Sequence, residues 1–144
     1  MKKILFVICA TMLTFAAEAK NSELKIEYDQ IPEKAQQFVS EFYKDVPVKK
    51  VSQKFDDGIA QYVVYLKDKT VIEFDMVGAW NYVQSPKKKV AVITTFIPAK
   101  VKDTLLKRFA DKIVYKIATD GFWYEASFSD GSNVKINANG DAAE

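Results

Sequence analysis

The chain has 144 residues, 21 Lys and Arg against 19 Asp and Glu (formal net charge +2), no histidine and one cysteine. Lack of histidine excludes a Ser-His-Asp triad, a Cys-His pair and most zinc sites, and near-neutrality leaves no electrostatic footprint for nucleic acid. Apolar residues make up 49 % of the chain, enough for a core at this length without disulfide or metal staples.

Lys2 and Lys3, the apolar run Ile4 to Phe15, and Ala17-Glu18-Ala19 have the order of a secretory signal: basic head, apolar centre, small-x-small cleavage site. Residues 1–19 are therefore expected to be removed, with Lys20 the first mature residue. About 12 apolar residues are too few to cross a hydrocarbon layer of roughly 30 Å, so no membrane span is expected after cleavage. Ile8, before Cys9, is not the small residue that lipoprotein processing requires. Loss of the signal takes the only cysteine, leaving a periplasmic or secreted chain without disulfides.

Residues 20–30 are polar and read as an extended lead-in. Ile31, Ala35, Phe38, Val39 and Phe42 recur at i, i+4, i+7, i+8 and i+11, one face of a helix. Pro32 stands at its first turn, where a missing N–H is tolerated, and Pro47 ends it by about Asp45. Strands follow. Val48 to Phe55 leads to the turn Asp56-Asp57-Gly58, and Gln61 to Lys67 then alternates. Asp68-Lys69 connects to Thr70 to Asp75, and Met76-Val77-Gly78 to a short strand over Ala79 to Val83. A connector over 85–96 holds Lys87-Lys88-Lys89, read as solvated, and Val90 to Thr95, which has strand composition.

Much of this is then said again. Ile97-Pro98-Ala99-Lys100-Val101 repeats Ile31-Pro32-Glu33-Lys34-Ala35 at an offset of 66, and Ile97, Val101, Leu105 and Phe109 form the second helical stripe. Past the next loop the offset becomes 62, pairing Tyr62 with Tyr124, Leu66 with Phe128, Phe74 with Ile136 and Gly78 with Gly140. Strands over Ile113 to Thr119, Phe122 to Phe128 and Ser132 to Asn137 complete the second copy, with Asp120-Gly121 and Asp130-Gly131 as hairpin turns. The chain stops soon after Asn139-Gly140, so a full last strand is missing from this copy. The fold expected is α+β: a tandem duplication of a helix plus antiparallel β-meander. The units are 31–84 and 97–144, with 31–144 one compact domain. Joined edge to edge, the meanders give two layers: a continuous antiparallel sheet, with both helices on one face and the other face open.

Tyr62-Val63-Val64-Tyr65-Leu66, then Asp68-Lys69-Thr70-Val71-Ile72-Glu73-Phe74-Asp75 and Gly78-Ala79-Trp80, after an Ile-Pro helix opening, resemble the exported PepSY-like proteins described as β-lactamase-inhibitor-like. The resemblance covers residues 31–140 and rests on the order and duplication of short motifs. It implies tandem helix-plus-sheet units, with exchange of a terminal strand between copies as one variant, and a periplasmic or secreted location. The inhibitor label is an analogy of fold and brings no target with it. Gly140-Asp141, with no tryptophan after it, departs from the pattern.

No catalytic residue, cofactor or metal site is assigned. Asp56-Asp57-Gly58 lacks the alternating oxygen ligands of a calcium loop and has the composition of a turn. Glu73 and Asp75 read as solvated strand residues. Alternation places Tyr62, Val64, Leu66, Tyr124, Ala126 and Phe128 on the core face. The open face then carries Val63, Tyr65, Val71 and Trp123 among Gln61, Glu73, Glu125 and Lys135, with Trp80 and Tyr82 at its margin. Tyr and Trp amid mixed charge is the composition of a binding surface, although cross-strand aromatics also stabilise a half-exposed sheet. The reading placed first is a non-enzymatic binding module that engages another exported or periplasmic protein through this face. The alternative is a small-molecule or envelope-fragment binder, with a pocket of Trp80, Tyr82 and connector residues where the units join. An enzyme using carboxylates alone ranks last.

Overall fold

A computed structural model describes residues 23–143; the signal expected over 1–19 lies outside them. Its centre is an eight-stranded sheet whose strands lie side by side in chain order, every neighbouring pair antiparallel. They are β1 (Glu23–Ile26), β2 (Val48–Asp56), β3 (Ile59–Leu66), β4 (Val71–Phe74), β5 (Trp80–Gln84), β6 (Val114–Thr119), β7 (Trp123–Phe128) and β8 (Asn133–Asn137). Helix α1 (Glu33–Phe42) lies between β1 and β2, and α2 (Ala99–Arg108) between β5 and β6. The lead-in is extended as β1 and ends in a short 3-10 turn, Tyr28–Gln30.

Pro32 and Pro98 stand one residue before their helices, with extended backbone (φ −54°, ψ 143° and φ −53°, ψ 141°). The Pro32 carbonyl accepts hydrogen bonds from the N–H groups of Ala35 (2.9 Å) and Gln36 (3.1 Å). The ring thus fixes the entry while costing the helix no donor. Tyr43 and Phe109 close the helices with nearly equal dihedrals (φ −132° and −130°). Helix α1 stops before Asp45 because Tyr43 leaves the helical backbone and buries its ring.

Register carries the core across the sheet. Val51, Val64, Ile72, Val83, Ile117 and Ala126 stand opposite one another from β2 to β7. They share one buried cluster with Ala35, Phe38 and Val39 of α1 and Val101 and Leu105 of α2. Phe38 meets Phe74 edge-on at 5.5 Å, and Phe109 stacks on Phe128 at 5.2 Å.

Asp57 and Gly58 both take positive φ (49° and 80°) at the β2–β3 hairpin, the geometry such a two-residue turn demands. Gly78 is constrained differently. A Cβ there would lie 2.9 Å from the Pro32 Cβ and 3.0 Å from the Ala35 nitrogen, so the β4–β5 turn packs directly on the start of α1. A Cβ on Gly140 would likewise sit 2.9 Å from the Lys100 carbonyl oxygen of α2.

One expectation changes. Val90 to Thr95 forms no strand; its tie to the sheet is the Val92 N–H donating to the Val114 carbonyl (2.8 Å), with the Val92 side chain buried. As expected, no full strand follows Gly140: a single bridge joins Ile136 to Ala142, whereas after Gly78 the pair Phe74 and Trp80 leads into β5.

Candidate functional site

The open face is largely occupied by its own side chains. Register places Ser52, Val63, Glu73 and Tyr82 in one row across it, and Lys50, Tyr65, Val71 and Gln84 in the next. Val63 is only 1 % exposed and Ser52 2 %, because longer neighbours close over them. The Tyr65 hydroxyl donates to the Glu23 carboxylate (2.6 and 2.8 Å), and the Lys50 ammonium stands 4.6 Å over its ring. Burial, then Glu23, holds the Tyr65 phenol well above its ordinary pKa. Glu73 pairs with Lys54, and the Tyr82 hydroxyl meets the Gln84 amide oxygen. Trp123 lies four strands from Tyr65, about 19 Å across the sheet at the usual strand spacing, and four residues along β7 from the position in register with Tyr65. Tyr65 and Trp123 therefore do not form one patch. Trp123 borders its own shallow hollow with Ala118, Glu125 and Lys135.

Trp80 is not on this face. The pairing of β4 with β5 shifts by one residue, Glu73 with Tyr82 but Phe74 with Trp80, and such a bulge turns the next side chain to the opposite face. The indole consequently packs on the core side, 4.9 Å from the ring of Phe96, 6.1 Å from Tyr124 and 6.5 Å from Phe38. Among the described residues, the parts of the expected pocket of Trp80, Tyr82 and connector residues fall in separate places. Trp80 lines one cavity, connector residues Val90 to Ile93 line another beside Tyr43, and neither includes Tyr82.

The Trp80 cavity is a half-open cleft of about 510 Å³ between the β4–β5 and β6–β7 hairpins. Its origin is the end of a ladder. The register of β5 with β6 runs through Gln84/Lys116, Val83/Ile117 and Tyr82/Ala118; past it, Trp80, Asn81, Thr119 and Asp120 form the walls. Phe38, Trp80 and Tyr124 supply an aromatic floor, while Lys34, Asp75 and Asp120 supply charge at the margin. The two carboxylates also hold the loops. Asp75 Oδ1 accepts from the N–H groups of Val77 (3.0 Å) and Ala79 (2.9 Å), and Asp120 Oδ1 from Phe122 (2.9 Å) and Trp123 (2.8 Å). Those last two backbone donors lower the Asp120 pKa.

Hairpins β2–β3, β4–β5 and β6–β7 all turn at this end of the meander, and each carries exposed apolar side chains. Ile59 is 56 % exposed, Met76 60 %, Val77 63 % and Phe122 76 %. At the opposite end the turns are Asp68-Lys69 and Asp130-Gly131. The cleft was not legible in the sequence because it depends on one bulge and on where one ladder stops.

The family model described as "Putative beta-lactamase-inhibitor-like, PepSY-like" matches residues 60–143. The chain belongs to this PepSY-like family. Three solved structures are similar to it over 85 % of its length. A "putative calcium-regulated periplasmic protein" from Bacteroides thetaiotaomicron has a TM-score of 0.76 at 26 % identity, with 94 % of that chain covered. A periplasmic protein from Bacteroides vulgatus has a TM-score of 0.76 at 25 % identity, with 95 % covered. A second protein from Bacteroides vulgatus, of unknown function, shares the fold at 20 % identity (TM-score 0.75, all of that chain covered). No curated protein sequence matches. The PepSY-like chain is thus similar to periplasmic proteins, and among its described residues no helix is long and apolar enough to cross a membrane.

Proposed function

We propose that this PepSY-like protein is an exported, non-enzymatic binding module that takes its ligand in the cleft over Trp80. The observation that carries the reading is an aromatic floor open to solvent at the end of the sheet where exposed apolar side chains are concentrated. A half-open cavity of this size, with an aromatic floor and polar groups converging at its margin, has the form of a ligand site. Export is supported by the periplasmic structural neighbours and by the signal-like order of residues 1–19.

The reading includes a tandem duplication with both helices on the core face. Equal helix lengths, matched caps and register shifts at Val48/Lys50 and Val114/Lys116 support it, as do Gly78 and Gly140, each against its own helix. The cleft then lies where the two units meet. Calcium regulation is stated for one neighbour, and nothing comparable is assigned to this chain, in whose described residues no three acidic side chains converge.

The second reading is capture of an exported protein through the outer sheet face, favoured by the 39 % exposure of Trp123 and its adjoining hollow. One experiment separates the two. The chain has two tryptophans, so Trp123→Phe leaves Trp80 as the only indole. Envelope fragments and peptides are screened by thermal shift, and each hit is then followed by Trp80 emission. A ligand in the cleft moves that emission. Hits that leave it unmoved and are lost in Tyr65→Ser/Trp123→Ser would transfer the function to the outer face.

A further inference from the structure

The charges and rings of the cleft specify the sign of what fits it, given the binding role proposed above. Glu73 pairs with Tyr82 and Tyr82 with Ala118, so these three lie in one row across β4, β5 and β6. Asp75 and Asp120 each follow two residues later, on strands that run in the same direction. They therefore stand level on either side of β5, their backbones about 10 Å apart at the usual strand spacing, and both line the cleft.

The two carboxylates are held in place with an oxygen to spare. Oδ1 of each accepts the backbone N–H groups of its own turn, Val77 and Ala79 for Asp75, Phe122 and Trp123 for Asp120. Among the described residues neither Oδ2 has a hydrogen-bond partner, and neither carboxylate belongs to an ion pair.

Between them lies the aromatic floor. The ring centroids of Trp80 and Tyr124 are 6.1 Å apart, and those of Trp80 and Phe38 6.5 Å. One cation above the floor can thus stand within about 6 Å of two rings, the range over which a ring face attracts positive charge. Elsewhere the protein's own cations take such places: Lys50 stands 4.6 Å over Tyr65, Lys112 5.2 Å over Phe128 and Lys88 5.8 Å over Tyr115. Among the described residues none stands over Phe38, Trp80 or Tyr124. Lys34 lines the cleft but takes neither a ring face nor a carboxylate.

We infer that the cleft binds an organic ammonium compound, its cationic head resting on Trp80 and Tyr124 between the carboxylates of Asp75 and Asp120. The same two carboxylates turn away an anionic head.

The test compares choline with 3,3-dimethylbutan-1-ol, which has carbon in place of the nitrogen and so keeps the shape without the charge. Trp80 emission in Trp123→Phe reports binding, with sodium chloride at equal ionic strength as the blank. Attraction of the charge to ring faces and carboxylates should make choline bind roughly tenfold more tightly than the alcohol. Asp75→Asn/Asp120→Asn keeps an Oδ1 acceptor for each turn and removes both charges, so choline should weaken roughly three- to fivefold while the alcohol is unaffected. Lys34→Gln removes a repelling charge and should tighten choline roughly twofold, a change of sign that damage to the fold does not produce. Equal binding of choline and the alcohol, binding of neither, or choline binding unchanged in Asp75→Asn/Asp120→Asn would each overturn the inference. If neutral envelope fragments or peptides move Trp80 emission while choline does not, the binding cleft stands and the cation assignment falls. Phosphatidylcholine vesicles separate two sources of the cation: co-sedimentation that Asp75→Asn/Asp120→Asn abolishes supports a lipid headgroup in this site, and choline binding without co-sedimentation supports a soluble compound.

Discussion

Gly78 provides a test of how the sheet holds α1, because its cost on substitution can be divided into two parts. An alanine at φ +90° pays the left-handed backbone penalty, about 1–2 kcal/mol, and its Cβ would stand 2.9 Å from the Pro32 Cβ and 3.0 Å from the Ala35 nitrogen. Carbon atoms prefer roughly 3.5–4.0 Å, and overpacking of this kind costs about 1–3 kcal/mol. Gly58 supplies the control: its φ is +80°, yet nothing lies within 4 Å of a Cβ there. Gly78→Ala should therefore destabilise by about 2–5 kcal/mol, backbone and packing costs combined, and Gly58→Ala by about 1–2 kcal/mol, the backbone cost alone. In urea, with a slope near 2 kcal/mol/M, the midpoints of the two variants should differ by about 0.5–1.5 M. Gly140→Ala, facing the Lys100 carbonyl oxygen, should group with Gly78→Ala, and Gly131→Ala, which has open space, with Gly58→Ala. Equal midpoints for Gly78→Ala and Gly58→Ala would refute the claim that close approach to α1, rather than the turn alone, requires glycine.

Phe74 and Phe128, each 1 % exposed or less, anchor the two helices through Phe38 and Phe109, and truncation of either to alanine should cost about 3–5 kcal/mol in urea unfolding. In an alkaline absorbance titration the phenols of Tyr43 and Tyr65 should ionise last, since burial foremost raises both. A raised folded pKa gives stability that is complete below the ordinary tyrosine value near 10 and is lost as pH climbs through the raised one. Glu23→Gln should bring the Tyr65 step down only in part, because burial, the largest single cause, remains. Asp130 is held well below the ordinary carboxylate range by the Ser132 hydroxyl and N–H and by Lys112. Its contribution is present above the ordinary carboxylate value and fades as pH falls through the depressed one, and Ser132→Ala should raise its carboxyl midpoint in a carbon-13 titration.

Alternation was sufficient to assign faces wherever a strand was regular. Tyr62, Val64 and Leu66 on β3 and Tyr124, Ala126 and Phe128 on β7 were assigned to the core from period two alone, and they pack there. The same parity placed Trp80 beside Tyr82 at the margin of the open face, and there it failed. One extra residue at Asn81 changes the face of everything after it, and no composition signal marks a bulge. The connector failed for another reason. Val90 to Thr95 has the residues of a strand, but strands β5 and β6 already pair with each other where it would have to enter. The cleft needed both pieces of information, the bulge and the extent of the ladder, and neither is local. What was legible in its vicinity was the pair of turns, Met76-Val77-Gly78 and Asp120-Gly121, that frame it.

Because strand order follows chain order from β1 to β8, the described chain begins on one outer edge of the sheet and ends at the other. A pull on both ends loads a single ladder at a time, β1 against β2 or β8 against β7, and its bonds open in succession rather than together. No strand is locked between partners distant in sequence, and the contacts to be rebuilt are mostly between neighbours along the chain, the kind that re-form quickly. A sheet of this topology offers little mechanical resistance to a machine that unravels it from either terminus, and it can reassemble one hairpin after another as the chain emerges.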